Sequence, residues 1–269
     1  MTRTLITTLL FLFSCFALSQ PAQRVITLSP QGTELAYAAG LGDAIVAVSE
    51  HSDYPKSALN IERVANHRGL NLERIVALNP DLILAWEGGN PSQQLLKLRQ
   101  LGYTVINTYP DSLDDIARVI TQLSQWSSNP AIGMQAADEF SAQLNHLKEQ
   151  YKDMPPVRFF YQLSTHPLIS VNRTAWPGSV FEICNGENIF GDSAAPYPQI
   201  SPEQVISRQP DVIFLPHSQE SDGEMWQRWK EVLPAVQNAN VISLNSDWLN
   251  RATPRSLMAA ADICAVLHP

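Results

Sequence analysis

The sequence predicts an α/β fold of two lobes with mainly parallel sheets, separated by one long α-helix. Three observations carry that expectation. The chain repeats itself: Leu72-Glu73-Arg74-Ile75-Val76-Ala77-Leu78-Asn79-Pro80-Asp81-Leu82-Ile83-Leu84 matches Pro202-Glu203-Gln204-Val205-Ile206-Ser207-Arg208-Gln209-Pro210-Asp211-Val212-Ile213-Phe214, an offset of 130 positions. Short apolar runs alternate with helical patterns, as parallel strands and their crossover helices do. Between the two copies, Ile132, Phe140, Leu144, Leu147 and Tyr151 keep helical spacing from Asn129-Pro130 to Pro155-Pro156.

The first element is an address. Residues 1–19 carry one charge, Arg3, ahead of an apolar and hydroxyl stretch from Leu5 to Leu18, and Ala17-Leu18-Ser19 offers small residues for cleavage. That stretch is about 14 residues, whereas a bilayer span takes roughly 20. A cleaved secretory signal is expected, with the mature chain starting near Gln20 and destined for the periplasm. Leu12-Phe13-Ser14-Cys15 fits a lipoprotein box poorly because of Phe13, so no lipid anchor is expected.

The first lobe, 20–128, is expected to hold strands at 25–28, 44–48 and 105–108, with helices at 92–101 and 113–124. Each copy of the repeat reads as a short helix, a Pro-Asp break and a buried strand. The connecting segment, 129–155, makes a helix of about 22 residues, or roughly 33 Å. A stiff connector of this kind limits how far two lobes can open. The second lobe, 156–269, is expected to place strands at 158–162 and 241–244. The fold class is therefore α/β: two Rossmann-like lobes joined by one long α-helix, with a ligand cleft between them.

Composition narrows the function. The chain has 269 residues, 18 Lys+Arg against 26 Asp+Glu and a formal net charge of −8. Removing Arg3 makes the mature chain more acidic still, and no basic face exists for nucleic acid. No segment beyond the leader is long and apolar enough to embed in a membrane. Removing Cys15 leaves two cysteines, Cys184 and Cys264. In an oxidising compartment these either pair or stay as two buried thiols. A pair would close a loop of about 80 residues, for which chain entropy allows roughly 4–5 kcal/mol.

Catalytic motifs are missing. The chain has no G-x-S-x-G, G-x-G-x-x-G, Walker loop or H-E-x-x-H. A Ser/His/Asp triad leaves no local signature, so a secreted hydrolase stays as the alternative outside the binding class. No cofactor and no resident metal are expected. What does stand out is aromatic placement: Trp86 after the first repeat's strand, Tyr197 between prolines and Trp248 in Ser246-Asp247-Trp248-Leu249-Asn250-Arg251. Polar and proline neighbours put these rings on loops, where a core does not need them. Rings from both halves favour a cleft for a large, flat, partly apolar ligand.

These residues bring out a family resemblance. Arg24-Val25-Ile26-Thr27-Leu28-Ser29-Pro30, Ser52-Asp53-Tyr54-Pro55, Gly69-Leu70-Asn71-Leu72-Glu73-Arg74, Ala85-Trp86 with Gly88-Gly89-Asn90, Gly186-Glu187-Asn188-Ile189-Phe190 and Ser246-Asp247-Trp248 with Arg251-Ala252 span nearly the whole mature chain. On them the sequence resembles the cobalamin-binding branch of the periplasmic substrate-binding proteins that serve ABC importers. The wider family also binds haem and ferric siderophores, which are the alternative ligands. The resemblance implies a non-enzymatic protein, monomeric when free, that takes cobalamin (vitamin B12) or a related corrinoid. It implies that Trp86, Tyr197, Asp247, Trp248 and Arg251 line the corrinoid site, and that Cys184 and Cys264 are the second lobe's disulfide.

The sequence departs from the family at His51 and His67, where aromatics are common, and at Tyr197, where a Trp is familiar. An imidazole there serves as a flat polar contact; the sharper alternative is that it ligates the corrinoid cobalt. Glu73 and Glu203 each sit in the first turn of a repeat helix, where the dipole favours a carboxylate by about 0.3–1 kcal/mol. The resemblance implies a second role, one Glu per lobe meeting a basic residue on each subunit of a two-fold importer.

Overall fold

The computed structural model describes residues 20–217 and 223–269. The leader expected over 1–19, with Cys15, lies outside the described residues. The first lobe runs β1 (Val25–Thr27), α1 (Pro30–Ala38), β2 (Ile45–Ser49), β3 (Glu62–Asn66), β4 (Gly69–Leu70), α2 (Leu72–Leu78), β5 (Leu82–Ala85), α3 (Ser92–Gln100), β6 (Val105–Asn107) and α4 (Leu113–Ser124). Next comes α5 (Pro130–Tyr151). The second lobe runs β7 (Val157–Tyr161), β8 (Ser164–Thr165), β9 (Leu168–Ile169), α6 (Gly178–Glu182), β10 (Gly186–Asn188), α7 (Pro202–Arg208), β11 (Val212–Pro216), α8 (Glu224–Gln227), α9 (Pro234–Gln237), β12 (Val241–Leu244), α10 (Ser246–Asn250) and α11 (Ser256–Leu267).

The sheets repeat one plan. The first has the order β4-β3-β2-β1-β5-β6 and the second β10-β7-β11-β12, so β1-β5-β6 and β7-β11-β12 are matched triplets. All pairs in these two sheets are parallel except β3 with β4. Both repeat helices end on a left-handed residue, Asn79 (φ 44°) and Gln209 (φ 48°). The Pro-Asp break that follows has a local purpose. Asp81 accepts from the amides of Gln23 and Arg24 at 2.8 and 3.1 Å, and Asp211 from that of Arg158 at 3.3 Å. Each Asp thus stitches its strand to the neighbouring one. The hairpins β3–β4 and β8–β9 are too short to show in periodicity and were not expected.

Helix α5 is 22 residues long. Its buried stripe is Gly133, Ala137, Phe140 and Leu144, with Leu147 and Tyr151 partly covered. Ile132, expected on that stripe, is instead 48% exposed. The reason is a close approach at the next residue: a Cβ on Gly133 would stand 2.5 Å from Ser124 Cβ and 3.0 Å from Ala39 Cα. The helix meets α1 and α4 there, so the seam runs through the smallest side chain. Among the described residues no helix is long and apolar enough to cross a membrane.

In the second lobe Phe159, Tyr161, Phe181 and Phe214 form the centre of the core, with Phe159 and Phe181 stacked at 4.4 Å. Beside it Cys184 and Cys264 are joined in a disulfide with their Cα atoms 5.1 Å apart. Both cysteines are buried, so the bond fastens the end of α6 to α11.

Candidate functional site

In open parallel sheets the carboxyl ends of the strands form the ligand-binding edge. Every candidate ligand residue of this chain lies on a segment that follows such an end or faces one. His51 follows β2, His67 follows β3, Trp86 follows β5 and Asp247, Trp248 and Arg251 follow β12. His51, in the left-handed region at φ 62°, His67 and Trp86 share a pocket of about 170 Å³ with Ser29, Gly89 and Asn90.

Trp86 is held from several sides. Its amide donates to Asn90 Oδ1 at 2.8 Å, and Asn90 Nδ2 donates to the Leu28 carbonyl at 2.9 Å, tying the turn to the end of β1. A Cβ on Gly89 would stand 2.2 Å from the indole Cε3, so this turn admits the ring only because Gly89 has no side chain. The indole stacks on Tyr109, centroids 5.2 Å apart and planes 12° from parallel. Burial pushes the Tyr109 phenol well above its ordinary range, and Tyr197 of the second lobe and Asp111 add to that shift. Tyr197 is half exposed and donates to the Trp176 carbonyl at 3.4 Å; burial of the rest of the ring raises its phenol.

The Ser246–Asn250 turn is equally anchored. Asn245 Oδ1 accepts from the amides of Asp247 and Trp248 at 3.0 and 3.3 Å. Trp176 Nε1 donates to the Leu249 carbonyl at 2.8 Å, and the Tyr161 hydroxyl to Asn250 Oδ1 at 2.9 Å. Trp248, expected on a loop, lies on the short helix α10 and packs partly against the core. The Asn245 cap accounts for this, since it winds the polar-looking run into a helical turn. Arg251 reaches Asp247 at 2.9 Å and, across the cleft, Asp53 at 2.6 Å. Burial works against the Arg251 charge, but the Asp53 hydrogen bond and the charges of Asp247, Asp53 and Glu34 outweigh it and raise its pKa. The hydrogen bond from Arg251 in turn holds the Asp53 carboxyl below the usual range.

The structure therefore brings His51, His67 and Trp86 into one first-lobe pocket, while Tyr197 of the second lobe lies within electrostatic reach of Tyr109. Asp247 and Arg251 form a separate polar group, linked to the first lobe through Asp53. Sequence reading did not single out Tyr109, Asp53, Glu34 or Arg255. Tyr109 had a signal, an aromatic just beyond the strand end of β6, as Trp86 is beyond β5; the charged pairs had none. Among the described residues no group of three or more His, Cys, Asp or Glu side chains is placed to hold a metal ion.

Glu73 and Glu203 are exposed, and neither is the cap of its helix. Asn71 Oδ1 accepts from the Arg74 amide at 3.0 Å in one copy, and Gln204 Oε1 from the Ser201 amide at 2.8 Å in the other. The hydroxyl of Ser201, with the backbone amide of Glu203, holds the Glu203 carboxyl below its ordinary value.

Known proteins share this fold. Residues 25–248 match the family model described as periplasmic binding protein. The vitamin B12-binding protein of Vibrio cholerae serotype O1 is 52% identical over 260 residues, covering 96% of this chain and 94% of the relative. The crystal structure of periplasmic vitamin B12 binding protein BtuF of Vibrio cholerae superposes with a TM-score of 0.88 at 52% identity, over 92% of this chain and 97% of that one. The periplasmic heme binding protein HutB of Vibrio cholerae shares the fold at a TM-score of 0.79 but only 23% identity, covering 92% of this chain and 99% of its own. With the family model spanning both sheets and the helix between them, the chain belongs to the periplasmic binding protein family.

Proposed function

We propose that this protein captures cobalamin (vitamin B12) or a related corrinoid between its lobes and delivers it to an inner-membrane ABC importer. The observation that carries this reading is the pairing of a stacked aromatic face with a separate ion-paired polar group across one cleft. A corrinoid has the matching shape: a broad conjugated plane with hydrogen-bonding amides around its rim. In this reading Trp86, Tyr109 and Tyr197 offer rings, Trp248 offers an edge, and His51 and His67 are flat polar contacts. Asp247 and Arg251 accept from and donate to the rim amides. The half-identical relatives named for vitamin B12 support the ligand, and the family supports a binding role without catalysis and without a cofactor of its own.

The lobes are taken as 20–128 and 156–269, with 129–155 as the connector, and 1–19 as the signal that sends the chain to the periplasm. Glu73 and Glu203 would face the two importer subunits, which supply the ATP chemistry. Two imidazoles in one pocket specifically favour haem as the second reading, since an iron porphyrin takes His as an axial ligand. Titration of residues 20–269 with cyanocobalamin, haemin and a ferric siderophore separates these readings. Saturable one-to-one binding of cyanocobalamin is expected. Tight binding of haemin or the siderophore with no cyanocobalamin binding overturns the proposal.

A further inference from the structure

Five charged side chains meet where the lobes face each other. Glu34, on α1, has only 3% of its side chain exposed, a place where a lone carboxylate is costly. Arg255 satisfies it from the other lobe, with Nε donating to Oε2 at 2.8 Å and Nη2 to Oε1 at 2.5 Å. Arg251 adds a longer contact to the same carboxylate at 3.4 Å, and holds Asp53 at 2.6 Å and Asp247 at 2.9 Å. The Arg255 guanidinium also lies 4.2 Å above the ring of Tyr54.

Neither side is explained by its own lobe. Arg255 occupies the N-cap position of α11, the positive end of that helix, where a cation is disfavoured. Glu34 sits in the middle of α1, where a buried negative charge gains nothing locally. Each cost is offset only at the lobe spacing that brings the two together.

We propose that Glu34, Asp53 and Arg255 are positioning residues for the ligand cleft: they brace the lobes at one spacing and hold the Arg251 guanidinium in one orientation toward the ligand. The two halves of the brace differ. Glu34–Arg255 is shielded from water and sets the spacing; Asp53 is 45% exposed, open to salt, and orients Arg251. The ligand part of this inference rests on the corrinoid reading, whereas the spacing part does not.

The test uses spin labels on Gln93→Cys and Ser207→Cys, exposed positions on the two lobes, in the protein with its native disulfide intact. Ligand-free parent protein is expected to give a narrow inter-label distance distribution that Glu34→Gln broadens. Asp53→Ala, a surface change that spares the fold, is expected to weaken cyanocobalamin binding about tenfold, as loss of a charge-assisted bond does. Asp53→Glu should recover most of that loss. The proposal is overturned if Glu34→Gln keeps the parent distribution and Asp53→Ala keeps the parent affinity. Should Glu34→Gln fail to fold, Arg255→Gln reads the same distribution, and a parental width overturns the brace. Failure of the parent itself to bind cyanocobalamin would remove the corrinoid reading, while the ligand-free distances would still decide the brace.

Discussion

Trp86 and Tyr109 stack face to face, 5.2 Å between centroids, although they follow different strands of the first sheet. The stack makes a rigid aromatic wall, because Asn90 fixes the Trp86 backbone, Gly89 packs closely on the indole and Tyr109 stacks against it. Replacing Trp86 by Ala should weaken cyanocobalamin binding by about tenfold or more, since a buried aromatic contact is worth roughly 1.5–3 kcal/mol. Gly89→Ala should also weaken it while leaving both rings in place chemically, because the added Cβ displaces the indole from the stack. Quenching of tryptophan fluorescence on titration measures both. Parental affinity in Gly89→Ala would show that the stack is not the ligand wall.

His51 and His67 are exposed and share the pocket with Trp86. As flat polar contacts they leave the cobalt ligands of bound cyanocobalamin unchanged. The visible absorption spectrum of the complex is therefore expected to be the same for the parent and for the His51→Ala/His67→Ala double variant. A band shift present only in the parent would assign a coordinating imidazole instead.

Much of this was legible in the sequence because it is local. The limits of α4 and β12 follow from patterns of a few residues, and the repeated Pro-Asp break marks where strands begin. Ile132 and Trp248 were misread for a shared reason: the first depends on how closely α5 approaches α1 and α4, the second on a cap two residues before Asp247. Glu34 and Arg255 are separated by 221 positions, and nothing in either neighbourhood announces the other. Pairings of this kind come only from the way the lobes meet.

The buried bond between Cys184 and Cys264 closes a sequence separation of 80 residues within the second lobe. Replacing both by Ser should cost about 2–5 kcal/mol, lowering the melting midpoint by roughly 5–15 °C. Thermal unfolding of parent and double variant, each with and without reductant, checks this. The reductant should lower the parent's midpoint and leave the variant's alone. An unchanged midpoint in the variant would mean that the α6–α11 contact stands without the bond.

Asp53 predicts an acid dependence with a definite sign. The hydrogen bond from Arg251 lowers its carboxyl pKa in the folded protein. A lowered carboxyl stabilises the folded state above its unfolded pKa, and that contribution is lost as pH falls through the folded value. The stability difference between parent and Asp53→Asn should therefore be constant near neutrality and shrink below about pH 4. It should also shrink in high salt, because Asp53 is half exposed. A difference that grows on acidification would contradict the Asp53–Arg251 pairing.

Glu73 and Glu203 occupy equivalent first turns in the two lobes, and neither is needed to cap its helix, since Asn71 caps one and the Ser201–Gln204 capping box the other. Two carboxylates left exposed at matched positions fit a partner with two-fold symmetry and basic contacts. Removing them should leave the cleft untouched and weaken docking. The Glu73→Ala/Glu203→Ala double variant is expected to bind cyanocobalamin like the parent. Its association with the importer should fall by more than about tenfold, with each single change intermediate. Raising salt should weaken the parent complex more steeply than that of the double variant, because the lost contacts are charge pairs near water. Importer reconstituted in vesicles, titrated with each form at two ionic strengths, provides the measurement. Parental association of the double variant at both salt concentrations would leave these two residues with local roles in their own helices only.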